Sequence, residues 1–253
     1  MFANRNTIMN IYNFILENKK KGKKLFSILI DPDKQDKDTL LDIIEKATVA
    51  KADFFFVGGS LLTHDGLDNC LFTLKKNSNI PVILFPGNAM QVNDKADGIL
   101  FLSLISGRNA EMLIGKQVIT APILKQSSLE VLSTGYILID SGKPTTVSYM
   151  SNTTPIPAEK NTVATCTAIA GEMLGLKLIF LDGGSGAKNP ISETMITAVS
   201  KSVNCPIIIG GGISSGAKAI ANCKAGADII VVGNAIEKDI NLISEISEAI
   251  HNC

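Results

Sequence analysis

Three runs in the last third of the chain stop an apolar segment on glycine: Phe180-Leu-Asp-Gly-Gly-Ser-Gly-Ala187, Ile207-Ile-Ile-Gly-Gly-Gly-Ile213 and Ile229-Ile-Val-Val-Gly-Asn234. Lacking a Cβ, glycine lets backbone N–H groups approach a ligand closely. Where such a run feeds a helix, those groups and the helix dipole favour an anion. Taken singly, each run is equally well a tight turn. Three in succession point to a cup for a phosphate. Nearer the start, Asp31-Pro-Asp-Lys34 brings two carboxylates and an ammonium together, and the next apolar run ends in Gly58-Gly-Ser60. An Asp-Pro turn also occurs at helix entrances for capping alone. Beside a serine hydroxyl, though, a carboxylate is half of a Mg²⁺ site, water and substrate phosphates supplying the rest. The two sets read as a site for two phosphorylated ligands, one gripped by backbone amides and the other through a metal.

These residues need a scaffold that brings strand ends together. Strands and helices alternate throughout. A helix over Ile8–Lys20 precedes the strand Leu25–Ile30, and a second helix over Thr39–Lys51 carries Leu40, Leu41, Ile43, Ile44 and Ala47 as an apolar stripe. Strands follow at Asp53–Val57, Pro81–Phe85, Gly98–Leu102 and Glu130–Asp140, and the three glycine-ended runs complete eight. Strands apolar on both faces belong to a parallel sheet covered by helices. Eight of them in alternation predict an α/β fold, a closed (β/α)8 TIM barrel, in a single domain spanning residues 1–253. An open doubly wound sheet is the alternative. Either fold gathers Asp31, Asp33, Lys34, Ser60, Asn88, Asp182 and the glycine loops around one mouth. The polar stretch Asp140–Pro157, with three prolines, breaks the rhythm and reads as a wall of the active site or as a surface insertion.

Composition narrows the partners. There are 24 basic and 24 acidic residues, Arg5 and Arg108 are the only arginines, and tryptophan is absent. No basic, aromatic groove for nucleic acid is visible. The run Lys19–Lys24 reads as a solvated helix end, with contact to anionic lipid headgroups as the alternative. The five cysteines form no C-x-x-C pair, and without an apolar signal segment they are expected to be reduced thiols in the cytoplasm. His64 and His251 stand at no metal-ligand spacing from them.

The ordered set Asp31-Pro-Asp-Lys34, Gly58-Gly-Ser60, Phe85-Pro-Gly87, Tyr136 to Pro157, Leu181 to Ala187, Gly210-Gly-Gly-Ile213 and Val232-Gly-Asn234 resembles the geranylgeranylglyceryl phosphate synthase family, also called PcrB-like. The likeness runs from about residue 25 to 240 and is nearest to the branch with archaeal and Bacteroidetes members. It implies a prenyltransferase that joins the 3-hydroxyl of sn-glycerol 1-phosphate to a long polyprenyl diphosphate, forming an ether and releasing diphosphate. By this resemblance Asp31 and Ser60 bind Mg²⁺. Phe180, Leu181, Asp182, Gly183, Gly184, Ser185, Gly186, Gly211, Gly212, Gly233 and Asn234 hold glycerol phosphate. Many relatives carry Tyr-Leu-Glu where this chain has Phe180-Leu-Asp182. The carboxylate is kept one methylene shorter, and Asp182 is expected to orient the acceptor and take its proton as general base. The hydroxyl missing at Phe180 removes a bond to the phosphate, worth about 1.5–3 kcal/mol.

Phe85, Phe101, Leu102, Leu104 and Ile105 are candidates for a prenyl groove, or equally for barrel core, and Tyr136 fits core and site wall alike. The resemblance further implies self-association, and the amphiphilic product implies peripheral contact with a membrane. Two rivals remain. A phosphate-binding isomerase or cyclase acting on a sugar phosphate would use Asp31 and Asp182 as acid and base, without needing the Asp31–Ser60 pair. A non-catalytic sensor of a phosphorylated metabolite would need the cup alone.

Overall fold

A computed structural model describes residues 10–64, 66–88 and 91–253. Eight parallel strands close into a barrel, each hydrogen-bonded to the next and the eighth to the first. They are β1 (Leu25–Ile30), β2 (Phe54–Val57), β3 (Val82–Leu84), β4 (Gly98–Leu104), β5 (Glu130–Leu138), β6 (Leu178–Asp182), β7 (Ile207–Gly210) and β8 (Ile229–Val232). The helices are α1 (Ile11–Lys20), α2 (Lys37–Val49), α3 (Leu67–Asn77), α4 (Lys116–Gln126), α5 (Thr146–Ser151), α6 (Asn161–Met173), α7 (Glu193–Ser200), α8 (Gly216–Ala225), α9 (Asn234–Lys238) and α10 (Leu242–His251). A π-helical turn at Glu111–Gly115 leads into α4. The barrel is therefore closed, and the open sheet is excluded.

The period of two along each strand divides the core into two layers. Leu25, Phe54, Phe56, Ile83, Leu100, Leu132, Leu178, Ile208 and Ile229 fill the barrel interior. Their neighbours Phe26, Phe55, Val82, Ile99, Ile179, Ile207 and Ile230 pack outward against the helices. Inside, aromatic rings form a column from the base towards the mouth: Phe14 against Phe54 at 5.8 Å, Phe54 on Phe56 at 6.4 Å, and Phe56 on Phe85 at 6.4 Å. Such aromatic contacts add to the burial already gained. Helix α1 closes the base. Ile11 and Ile15 enter the interior cluster, and the Glu130 carboxylate accepts from the N–H of Tyr12 at 2.8 Å.

Several expectations shift at their edges. Of the helix expected from Ile8, residues 8 and 9 lie outside the described residues; the described part begins behind Asn10, whose side chain caps it. β3 spans only three residues; Pro81 before it lacks an N–H for the ladder, while beyond it the Phe85 N–H still donates to the Val57 carbonyl at 2.8 Å. The basic run is not simply a solvated helix end. Lys19 reaches Asp228 at 2.7 Å and Lys24 approaches it at 3.8 Å, linking the end of α1 to the start of β8. The stretch Asp140–Pro157 is not irregular either. It contains α5, opened by a Thr145/Ser148 capping box, and Ile139 bridges to Ile156.

Candidate active site

The strand parity that fills the interior also decides what reaches the mouth. Continuing the inward positions past the strand ends gives Asp31 after β1, Ser60 after β2, Asp182 and Gly210 at the ends of β6 and β7, and Gly233 after β8. Two cavities open there. The first, about 430 Å³, has a polar pole of Asp31, Lys34, Gly59, Ser60 and Asn88 and continues between Phe101, Leu102, Leu104, Met112, Val147 and Met150. The second, about 370 Å³, is walled by Gly184, Ser185, Gly186, Gly211, Gly212, Gly233 and Asn234, with Phe180 at its floor. Asp182, Ser185, Gly233 and Asn234 line both.

Asp182 is the junction. Its Oδ2 accepts the Tyr136 hydroxyl at 2.6 Å and its Oδ1 accepts the Gly184 N–H at 2.7 Å. Burial raises its carboxyl above the ordinary carboxylate range, although both hydrogen bonds pull the other way. Burial, followed by the neighbouring Asp182 charge, pushes the Tyr136 hydroxyl well above its ordinary value, so it acts as a donor. Beneath them Phe85 stacks on Phe180 at 5.2 Å and Tyr136 meets Phe180 edge-on at 5.5 Å. This apolar floor excludes water from one side of the carboxylate.

The cup depends on backbone geometry. Gly211 has φ +87°, and a Cβ there would lie 2.7 Å from the Gly183 nitrogen. Any other residue would meet both the left-handed backbone penalty and a backbone collision. The strand-five to strand-six connection reaches the cup as well: Thr145 Oγ1 lies 2.9 Å from where a Cβ on Gly184 would stand. At the opposite pole the Asp31 carboxylate faces Gly59, where a Cβ would be 3.6 Å from both oxygens. Lys34 Nζ lies 3.4 Å from Asp31 and 3.3 Å from Glu237. A carboxylate and a hydroxyl on one cavity wall fit a hard divalent cation that takes its remaining ligands from water and substrate phosphate.

Residues 17–250 match the PcrB family. A protein of Chitinophaga pinensis named geranylgeranylglyceryl phosphate synthase is 57% identical over 241 residues, 95% of this chain and 96% of its own length. One of the same name from Methanosphaera stadtmanae is 37% identical over 246 residues, 96% of this chain and 100% of its own. This chain belongs to the PcrB family. The crystal structure of (S)-3-O-geranylgeranylglyceryl phosphate synthase from Thermoplasma acidophilum, in complex with its substrate sn-glycerol-1-phosphate, superposes with a TM-score of 0.91 at 30% identity, covering 97% of this chain and 100% of the other. A tryptophan synthase alpha chain from Legionella pneumophila, at TM-score 0.60 and 16% identity, shares the barrel alone.

Within this PcrB barrel the expected site residues separate. Asp31, Ser60, Phe180, Asp182, Gly184, Ser185, Gly186, Gly211, Gly212, Gly233 and Asn234 line the two cavities, as do Lys34 and Asn88. Leu181 does not: its odd position in β6 turns the side chain into the outer layer, against the helices. The Gly183 N–H is taken by the Gly210 carbonyl at 3.1 Å. Asp33 accepts from the Thr63 N–H and hydroxyl and so anchors the loop after Ser60. Ile105 packs outward, whereas Phe85, Phe101, Leu102 and Leu104 line the first cavity. Tyr136 joins the site only through the pairing of β5 with β6, which places it opposite Phe180. Its signal in the sequence was parity: it shares the inward set with Leu132 and Leu138. Burial pushes the thiols of Cys70, Cys205 and Cys223 up to about 12, which removes them as nucleophiles at neutral pH.

Proposed function

We infer that this chain transfers a geranylgeranyl or similar long prenyl group from its diphosphate to the 3-hydroxyl of sn-glycerol 1-phosphate. The observation that carries this reading is Asp182, one buried carboxylate shared by a glycine cup and an apolar cavity. The cup takes the acceptor phosphate on backbone N–H groups, which holds the glycerol in a fixed orientation. Its hydroxyl then lies against Asp182. The hydroxyl oxygen forms a bond to the first carbon of the prenyl chain as the bond from that carbon to diphosphate breaks. Diphosphate leaves with the electron pair, and the proton passes to Asp182. Tyr136 and Gly184 hold the carboxylate in place through its two oxygens.

Asp31 and Ser60 are the residues that would hold Mg²⁺, and Lys34 stands beside them to meet the diphosphate. When bound, the metal neutralises charge on the departing diphosphate. The apolar side chains of Phe101, Leu102, Leu104 and Met112, facing Val147 and Met150, suit a prenyl chain and have no use in a sugar-phosphate isomerase. Self-association belongs to the same reading: α4 and the turn before it expose Ile114, Val118, Ile119 and Ile123. A monomeric sedimentation profile at micromolar concentration would remove that part. Contact with a membrane is peripheral in this reading, since no helix among the described residues is long and apolar enough to cross one. The five free cysteines support a cytoplasmic location.

The test is diphosphate release from purified protein with Mg²⁺, geranylgeranyl diphosphate and either enantiomer of glycerol phosphate. Release with the sn-1 form, little with the sn-3 form and suppression by EDTA are expected. No release with either acceptor across several donor lengths overturns the reading.

A further inference from the structure

The cup is walled by neutral amides, and the full positive charges that line it belong to Lys143, Lys188 and Lys238. A phosphate monoester carries about −1.5 to −2 at pH 7. Amide dipoles orient that charge and leave it uncompensated. Helix α9, which starts at Asn234, has only five residues and offers no developed dipole. Neutralisation therefore falls to the lysines.

Lys143 is set apart by its placement. Its Nζ lies 3.5 Å from the point that a Cβ on Gly186 would occupy, directly over the glycine loop. The backbone that carries it is fixed on both sides. Before it, the Asp140 carboxylate accepts the Gly142 N–H at 2.8 Å, and the Asn189 N–H donates to the Ser141 carbonyl at 3.0 Å. After it, Thr145 packs on Gly184 and caps α5, whose Val147 and Met150 line the apolar cavity. One segment thus touches the glycine loop, the cup and the apolar cavity, with an ammonium at its centre.

We propose that Lys143 is a further binding residue for the acceptor: its ammonium pairs with the phosphate monoester and ties the segment 140–151 to the occupied cup. This rests on reading the cup as the acceptor-phosphate site. The experiment compares wild type with Lys143→Gln, Lys143→Arg and, as a charge control, Lys160→Gln, which lies outside both cavities. KM is measured for each substrate, and the affinity for inorganic phosphate by titration. Lys143→Gln is expected to raise the KM for glycerol 1-phosphate and to weaken phosphate binding about tenfold, as for a hydrogen bond to a charged group. The donor KM should stay within about twofold, Lys143→Arg should restore most of the loss, and Lys160→Gln should match wild type. An unchanged acceptor KM in Lys143→Gln, with wild type active, overturns the role of Lys143 alone. So does an equal rise in both KM values. If wild type fails to use glycerol 1-phosphate, the function falls, and inorganic phosphate then decides Lys143 separately: weaker binding in the Gln variant supports it and equal binding overturns it.

Discussion

Replacing Tyr136 by phenylalanine isolates one hydrogen bond at the carboxylate proposed to take the acceptor's proton. The ring remains, so its contacts with Phe180 at 5.5 Å and Phe85 at 6.1 Å are kept and the barrel floor is undisturbed. What is lost is the 2.6 Å bond from the hydroxyl to Asp182 Oδ2, made where both residues are buried. A hydrogen bond to a charged group contributes about 1.5–3 kcal/mol, and 1.36 kcal/mol corresponds to one unit of pKa. Most of that energy favours the ionised form of Asp182, whose carboxyl burial already holds above its ordinary range. Removing the bond takes away that support and raises it further. In the proposed reaction only the ionised form accepts the acceptor's proton. The acidic limb of kcat/KM against pH, measured by diphosphate release at low acceptor concentration, should therefore move to higher pH, with activity recovering on the alkaline side. A uniform loss at all pH values, with the limb unmoved, would show that Tyr136 acts on the substrate and leaves Asp182's ionisation alone, and the reasoning would fail.

Asp182→Asn should lower kcat by about 10²- to 10⁴-fold, the usual loss for a general base. It should also raise the melting temperature at pH 7: the raised carboxyl gives stability that is complete below its ordinary value and is lost as pH rises through the folded one, so the gain seen by calorimetry closes towards acid. Gly211→Ala puts a Cβ 2.7 Å from the Gly183 nitrogen at φ +87°. The left-handed position alone costs about 1–2 kcal/mol, and the acceptor's binding by titration should weaken at least about tenfold, while an unchanged affinity would remove Gly211 from the cup. Phe180→Tyr extends the ring that already reaches 3.1 Å from a Cβ position on Gly210, at the cup floor. A lower KM for glycerol phosphate is expected, with the donor KM unchanged; a lowered melting temperature without that gain would place the new hydroxyl against the Gly210 backbone instead.

The barrel was legible because most strands are apolar on both faces and stop near glycine, proline or aspartate; β4, which runs on through Ser103, and β5, with Ser133 and Thr134, obey that rule least. The glycine-walled cavity was legible for the same reason, since glycine leaves its mark in the sequence. Parity was legible too, and it excludes Leu181. With Phe180 and Asp182 facing inward, the residue between them must face the helices. A motif carried over as a block hides that distinction. Contacts made across long separations left no such trace. Lys19 meets Asp228 across 209 positions, and Tyr136 meets Asp182 only once the fifth and sixth strands are in register. Helix α5 was hidden by its length of six residues and by the polar, proline-flanked stretch around it.

The departure at Phe180-Leu-Asp182 is best understood from the neighbouring strand. The Asp182 carboxylate lies buried at the end of strand six, where burial raises its pKa and two hydrogen bonds oppose that rise. Tyr136, opposite Phe180 in the ladder, supplies one with a hydroxyl directed at Oδ2, while the Gly184 N–H holds Oδ1. Phe180 in turn packs against both Phe85 and Tyr136, which keeps the donor's ring in place. A hydroxyl is thus present on strand five, bound to the acid, and in the proposed site the phosphate falls to the glycine cup and Lys143. On the proposed function, proton transfer and the binding of charge then fall to different residues. That division requires substitutions at Tyr136 to act through pH dependence, and substitutions in the cup to act through acceptor affinity.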